Sequence, residues 1–297
     1  MMGRLKLFIL LIPLSLTWGL SFLATSMTVK AVDPVPLLAM RWGTAGLLCL
    51  FLVIFRVIRI DVRKPAFKWM VFIGILEPCT YFLCETNGIA LTSTSVAAIM
   101  IAVIPCMTMI IGAVFFKKKI SRRVALGIFL ALAGVLLSTA LNQGGGGENT
   151  LKGILLLFLA ITVAGLYGHV CQKVTVDYTP MELTCWMAMT GMIFFNILSL
   201  AMGYGLSGYK AALSDWHVLG GVLFLGVGCS FVCYVILNYI LSRMDAAGAN
   251  NITSSATTMV GVISGIAIAG DPWGWYTIAG LFLTVIGVWI TSKEADE

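Results

Sequence analysis

Apolar stretches of about 20 residues follow one another along nearly the whole chain, separated by short polar turns. An α-helix of about 20 residues spans the hydrocarbon of a bilayer, and in lipid a helix can satisfy its backbone hydrogen bonds within its own segment. The pattern excludes a soluble fold. Composition agrees: of 297 residues, 60% are hydrophobic and 11% charged, and the mean hydropathy is +1.00. A soluble protein of this size could not hide so much apolar surface. The chain reads as an all-α integral membrane protein with ten transmembrane helices, expected at 7–30, 35–55, 69–90, 94–116, 122–140, 152–172, 180–203, 217–241, 246–269 and 273–292. The N-terminus imitates a secretory signal, with Arg4 and Lys6 ahead of LFILLIPLSL. It lacks a small-x-small cleavage site and is read as the first span.

Ten spans place successive loops on alternate sides, and Lys/Arg usage tests that arrangement. With the N-terminus in the cytoplasm, 15 of the 19 basic residues fall on the cytoplasmic side. Only Lys30, Lys152 and Lys210 lie outside, and Arg41 lies within a span. The positive-inside rule then holds, which makes both termini cytoplasmic. The net charge of +6 is a topology signal and calls for no nucleic-acid partner. All eight cysteines sit in apolar stretches without a CxxC, as packing residues do. No cofactor or metal is expected, and no soluble stretch is long enough for a catalytic or nucleotide-binding domain.

The run NQGGGGENT at 142–150 divides the spans five and five. A shift of 146 residues sets Leu5-Lys6 on Leu151-Lys152, Gly19-Leu20 on Gly165-Leu166 and Pro34 on Pro180. A shift of 153 sets Tyr81 on Tyr234, Gly127 on Gly280 and Gly134-Val135 on Gly287-Val288. Residues 1–141 and 151–297 therefore read as a duplication joined by a flexible linker. Five spans is an odd number, so the second copy enters the membrane from the opposite side. Inverted repeats place a substrate site near the midplane between the halves.

At this point the sequence resembles the EamA-type members of the drug/metabolite transporter superfamily, over essentially its full length. The resemblance rests on TWGLSF (17–22), Pro34 with Arg41, TSTSVAAIMIAVIP (92–105), GIFLALAGVLLS (127–138) and IAGLFLTVIGVWI (278–290). It implies a ten-helix transporter of small metabolites, often outward, in a bacterial cytoplasmic membrane. Two positions depart from the pattern. The Gly-Glu pair common after the fourth and ninth spans reads Lys117-Lys118 and Gly270-Asp271, and Pro105 falls against Thr258. Expected partners are a small-molecule substrate and the lipid bilayer, with a homodimer left open.

Candidate pathway residues are polar groups that lipid would leave unsatisfied. In the third span Glu77, Tyr81 and Glu85 recur every four residues and share one stripe. Arg41 lies about 10 Å into the second span, at a depth similar to Glu85. The two are expected to form a buried structural pair; Arg41 could instead hold a substrate carboxylate bidentately. Glu77 has no basic residue at its depth and precedes Pro78, which can kink a helix. It is read as a cavity group for a proton, a cation or a substrate amine, the other reading being a buried structural acid. Trp18 and Tyr81 are candidate ligand walls. Asn250 and Asn251 are expected near the cytoplasmic end of the pathway, and Tyr234 and Asn238 are the counterparts of Tyr81 and Glu85. His169 is expected to be solvated or capping near the inner interface. The function expected is secondary-active export of a metabolite such as an amino acid. The alternatives are an uncoupled facilitator or an intramembrane enzyme, for which GVISG lacks the GxSG pattern and no HExxH is present.

Overall fold

The computed structural model describes residues 2–140 and 151–292, so the linker at 142–150 lies outside the described residues. Every regular element among them is helical. They are α1 (Met2–Thr28), α2 (Pro34–Ile54), α3 (Phe67–Ala90), α4 (Thr94–Phe116), α5 (Arg122–Ala140), α6 (Leu151–Val174), α7 (Pro180–Ala201), α8 (Ser207–Ser214), α9 (Trp216–Leu241), α10 (Ala246–Ser264) and α11 (Trp275–Ser292). Among the described residues, eight helices are long and apolar enough to cross a membrane, namely α1 to α7 and α9. Two shorter apolar helices, Thr253–Ala269 and Trp275–Thr291, follow them. The short α8 was expected to be loop; its SGYKAALS sequence is too short and polar to register as a span.

Local chemistry sets the helix starts. Pro34 and Pro180 stand at the first position of α2 and α7, where a missing N–H costs nothing. Thr179 and Glu182 form a reciprocal capping box on α7: the Glu182 amide donates to Thr179 Oγ1 at 3.2 Å, and the Thr179 amide donates to Glu182 Oε2 at 2.7 Å.

Without a hydrophobic force between helices in lipid, small residues govern close approach. The broadest packing joins α5 to α11, α2 to α7, α1 to α10, and α6 to α3 and α4. Along α5 and α11 the backbones nearly touch. A Cβ on Gly127 would lie 2.7 Å from Gly287 O, and one on Gly280 would lie 2.7 Å from Gly134 O. A shift of 153 residues carries either contact onto the other.

The ends of α4 and of the helical turn Gly265–Ala269 that continues α10 explain the departures noted at Lys117-Lys118. Lys117 is left-handed, with φ +53°, and the Lys118 amide donates back to Gly112 O at 3.1 Å. Gly270 is left-handed too, with φ +75°, and the Asp271 amide donates to Gly265 O at 3.0 Å. These are the same helix terminator 153 residues apart, with side chains of opposite charge. Asp271 Oδ2 accepts from the Ser95 amide at 2.6 Å and its hydroxyl at 2.7 Å, in the first turn of α4. Lys118 Nζ instead meets Asp245 at 2.6 Å, the residue just ahead of α10. Asp245 thus supplies the negative charge at a helix N-terminus that the missing glutamate would have brought.

Lys117 bears a Cβ in a conformation that favours glycine, at a cost of roughly 1–2 kcal/mol. Lys117→Gly is therefore expected to raise stability by about 1 kcal/mol in denaturant unfolding of the detergent-solubilised protein. Gly270→Ala should lower it by a similar amount, since nothing crowds a Cβ there and only the φ penalty acts. A Lys117→Gly protein less stable than wild type would contradict this account of the turn.

Candidate functional site

The site is built around a break in α3. Glu77 has φ −131° and ψ 121° within an otherwise helical segment. Pro78 is the cause: it has no N–H to continue the ladder, and its ring disfavours the helical region for the residue before it. A carbonyl loosened by the break finds a partner in the Thr80 hydroxyl, which donates to Ile75 O at 2.8 Å. The break pulls the Glu77 backbone out of the helix and turns its carboxyl toward α9. There Tyr234 Oη donates to Glu77 Oε2 at 2.9 Å. Glu77 is 3% exposed and takes part in no ion pair among the described residues.

A cavity of about 80 Å³ lies beside this bond, room for a few waters at about 30 Å³ each. Of the expected residues, Trp18, Arg41, Glu77, Tyr81, Glu85, Tyr234 and Asn250 line it. They come from α1, α2, α3, α9 and α10. Aromatic rings make one wall: Trp18 meets Tyr234 edge-on at 5.5 Å between centroids, and Phe82 meets Tyr81 at 4.9 Å. Toward the α10 side Asn250 Nδ2 donates to Thr108 Oγ1 at 3.0 Å. The buried Thr257 hydroxyl, also in the lining, has no hydrogen-bond partner among the described residues.

Three expectations need correction. Arg41 and Glu85 share the cavity but form no direct ion pair among the described residues. Arg41 Nε donates to Ser230 Oγ at 2.8 Å on α9, and its guanidinium sits 4.3 Å from the centroid of the Phe82 ring. Glu85 Oε2 accepts from the neighbouring Thr86 hydroxyl at 3.1 Å. Depth along two helices matched the pair; the direction in which each side chain points did not. Arg41 is 2% exposed, and its terminal nitrogens make no hydrogen bond among the described residues. Asn238 is the second correction, since it lies off the cavity wall. It donates to Thr184 Oγ1 at 2.9 Å and accepts from Tyr167 Oη, tying α9 to α7 and α6. His169 is the third: it is buried, with Nε2 donating to Thr108 O at 2.9 Å and its ring against Phe116. The Asn251 side chain lies outside the described residues.

Ser230, Tyr167 and Phe82 were not anticipated. Ser230 had a signal, since it stands 153 residues after Glu77 and so occupies its duplicated position. Tyr167 and Phe82 carry none beyond being aromatic in a span.

The profile of the EamA-like transporter family matches the chain at residues 5–140 and again at 151–293. A Bacillus subtilis protein described as the uncharacterized transporter YcxC is 27% identical over 91% of this chain and 87% of its own. A Salmonella typhimurium protein described as a probable amino-acid metabolite efflux pump is 23% identical over 92% of this chain and 90% of its own. A solved crystal structure, 17% identical, covers 98% of each chain with a TM-score of 0.69, and so shares the fold. The chain belongs to the EamA-like transporter family and is a multi-pass membrane transporter. Its relatives are named for transport, and transporters are not enzymes.

The two related tyrosines are not equivalent. Tyr234→Phe removes the donor to a buried carboxyl and should cost about 1–3 kcal/mol in unfolding stability. Tyr81 makes no hydrogen bond among the described residues. Tyr81→Phe should therefore stay within about 0.5 kcal/mol of wild type. Equal losses in the two variants would contradict the unequal roles drawn from the geometry.

Proposed function

We propose that this EamA-like transporter is a secondary-active exporter of a small carboxylate-bearing metabolite such as an amino acid, working by alternating access and coupled to protons through Glu77. The observation that carries the reading is the Glu77–Tyr234 bond, a buried carboxyl without a cation, held by a residue 157 positions away in the opposite half. A fixed structural acid would be expected to gather several donors or a counter-ion; Glu77 has one neutral donor and open cavity beside it. Such a group can take a proton from one side and give it to the other as access alternates.

The ten-helix, two-repeat scheme is part of this reading, with units 1–141 and 151–297 around the 142–150 linker. It is supported by the paired glycine contacts, by the matching terminators at Lys118 and Asp271, and by the twofold family match. Odd-numbered units of five helices give opposite orientations, and alternating access then amounts to rocking one half on the other. The end rich in Lys and Arg is the cytoplasmic one by the positive-inside rule, with both termini there, in a bacterial cytoplasmic membrane. Arg41, which lines the cavity and whose terminal nitrogens make no hydrogen bond among the described residues, is the natural seat for a substrate carboxylate, and Glu77 or Glu85 for an amine. The name of the Salmonella relative supports an amino-acid-like cargo.

Glu77→Gln keeps the shape and a hydrogen-bonding group while removing the titration. Reconstituted in vesicles, it should lose pH-driven accumulation of a labelled amino-acid panel by at least tenfold and still exchange labelled for unlabelled substrate. Loss of exchange as well would assign Glu77 to substrate binding. Unchanged accumulation and pH dependence would make it a structural acid, leaving an uncoupled facilitator as the better reading.

A further inference from the structure

A second cavity, of about 360 Å³, lies on the flank of the molecule between α2, α7 and α9, with α8 across its end. Its walls are apolar but for three groups, and each of these is already engaged. Asn196 Nδ2 donates to Met192 O at 2.7 Å and Ala39 O at 3.3 Å, while its Oδ1 accepts from Tyr209 Oη. The Thr44 hydroxyl donates to Arg41 O at 2.9 Å. Water needs two to four polar partners to fill such a space, and a polar ligand needs at least as many. Neither finds them here. The mouth is rimmed by Leu47 of α2 and Leu213 of α8, 62% and 76% exposed.

The roof is built, not incidental. Gly208 of α8 lies so close to the start of α2 that an added Cβ would come within 2.6 Å of Pro36 Cβ. The Tyr209–Asn196 bond pins the same turn to α7. Next to Tyr209 stands exposed Lys210, one of only three basic residues on the sparsely charged end of the molecule. Asp33 and Asp215 lie on that end too, so the local charge is mixed and Lys210 acts as a point contact rather than part of a basic patch.

We propose that this flank cavity is a phospholipid site, holding one acyl chain between α2, α7 and α9 with the lipid phosphate at Lys210. The cavity opens at its mouth and offers no unengaged polar group among its lining residues, so the occupant it suits is apolar, and the bilayer supplies the apolar molecule at highest local concentration. By proportion with a cavity of about 150 Å³ that takes benzene, 360 Å³ admits roughly a dozen or more carbons. The chain would lie behind the turn of α2 that carries Arg41, since Thr44 lines the cavity and bonds to the Arg41 carbonyl. Occupancy would therefore be felt at the transport site.

Gly43 offers a clean test, because a Cβ there meets only Asn196 Nδ2, at 3.9 Å, and a larger side chain can grow into the cavity. Wild-type protein from vesicles of equal phosphatidylglycerol and phosphatidylethanolamine should retain one phospholipid per chain in native mass spectrometry after detergent exchange. Gly43→Leu should retain less than a fifth of that. Lys210→Glu should keep a bound lipid but shift it severalfold from phosphatidylglycerol toward phosphatidylethanolamine. In parallel, a phospholipid with a photoreactive acyl chain should cross-link the wild-type chain mainly at residues 40–47 and 192–196, a readout that needs no variant. Equal lipid retention in wild type and Gly43→Leu, adducts spread evenly over the lipid-facing helices, or a second copy of the chain in place of lipid would each overturn the proposal.

Discussion

A buried carboxyl group with no ion-pair partner among the described residues must be held by something, and here it is held by a residue of the other half of the chain. The Glu77–Tyr234 hydrogen bond joins α3 to α9 beside the central cavity. Much of the nearby architecture follows from it. The proline break in α3 turns Glu77 away from the helix axis, and the Thr80 hydroxyl supplies a partner to a carbonyl near that break. The ring of Tyr234 that delivers the hydroxyl also packs on Trp18, Trp42 and Phe82. One residue therefore links the buried carboxyl to the aromatic wall. Because the donor comes from α9, any motion of α9 against α3 changes the environment of Glu77. That is the coupling a proton-driven transporter needs.

Around this bond the two halves share devices at matched positions, yet differ in chemistry. Glycine contacts between α5 and α11 hold one flank by close backbone approach, and the same terminator closes both α4 and the helical turn that continues α10. At the cavity the halves diverge. Position 77 holds a glutamate and its counterpart 230 a serine, and Arg41 reaches across to that serine. The asymmetry leaves acidic groups, Glu77 and Glu85, and a basic one, Arg41, in the lining of one cavity.

Much of this was legible in the sequence, for a physical reason. Membrane helices announce themselves by length and apolarity, and the bounds read from hydropathy lie close to those of α2 to α7 and α9. Seven of the candidate pathway residues line the cavity because a polar group in a span has few other places to go. What could not be read was direction. Depth follows from counting residues at 1.5 Å each, but rotation about the helix axis does not survive a break such as that at Glu77. Arg41 and Glu85 were therefore matched in height while Arg41 points to Ser230, and Asn238 turns from the cavity to Tyr167 and Thr184. The Tyr234 donor was placed among the candidates through the duplication alone, without its partner.

The central claim is that one cavity between the halves is reached from each side of the membrane in turn. Ser254 lines that cavity and is partly exposed. A single cysteine there, in a chain whose eight native cysteines have been replaced, can be labelled with an impermeant thiol reagent applied to either face of oriented vesicles. Labelling is predicted from both faces, with a pH gradient raising the rate on one face as it lowers the rate on the other. Reaction from one face only, whatever the gradient, would contradict alternating access through this site.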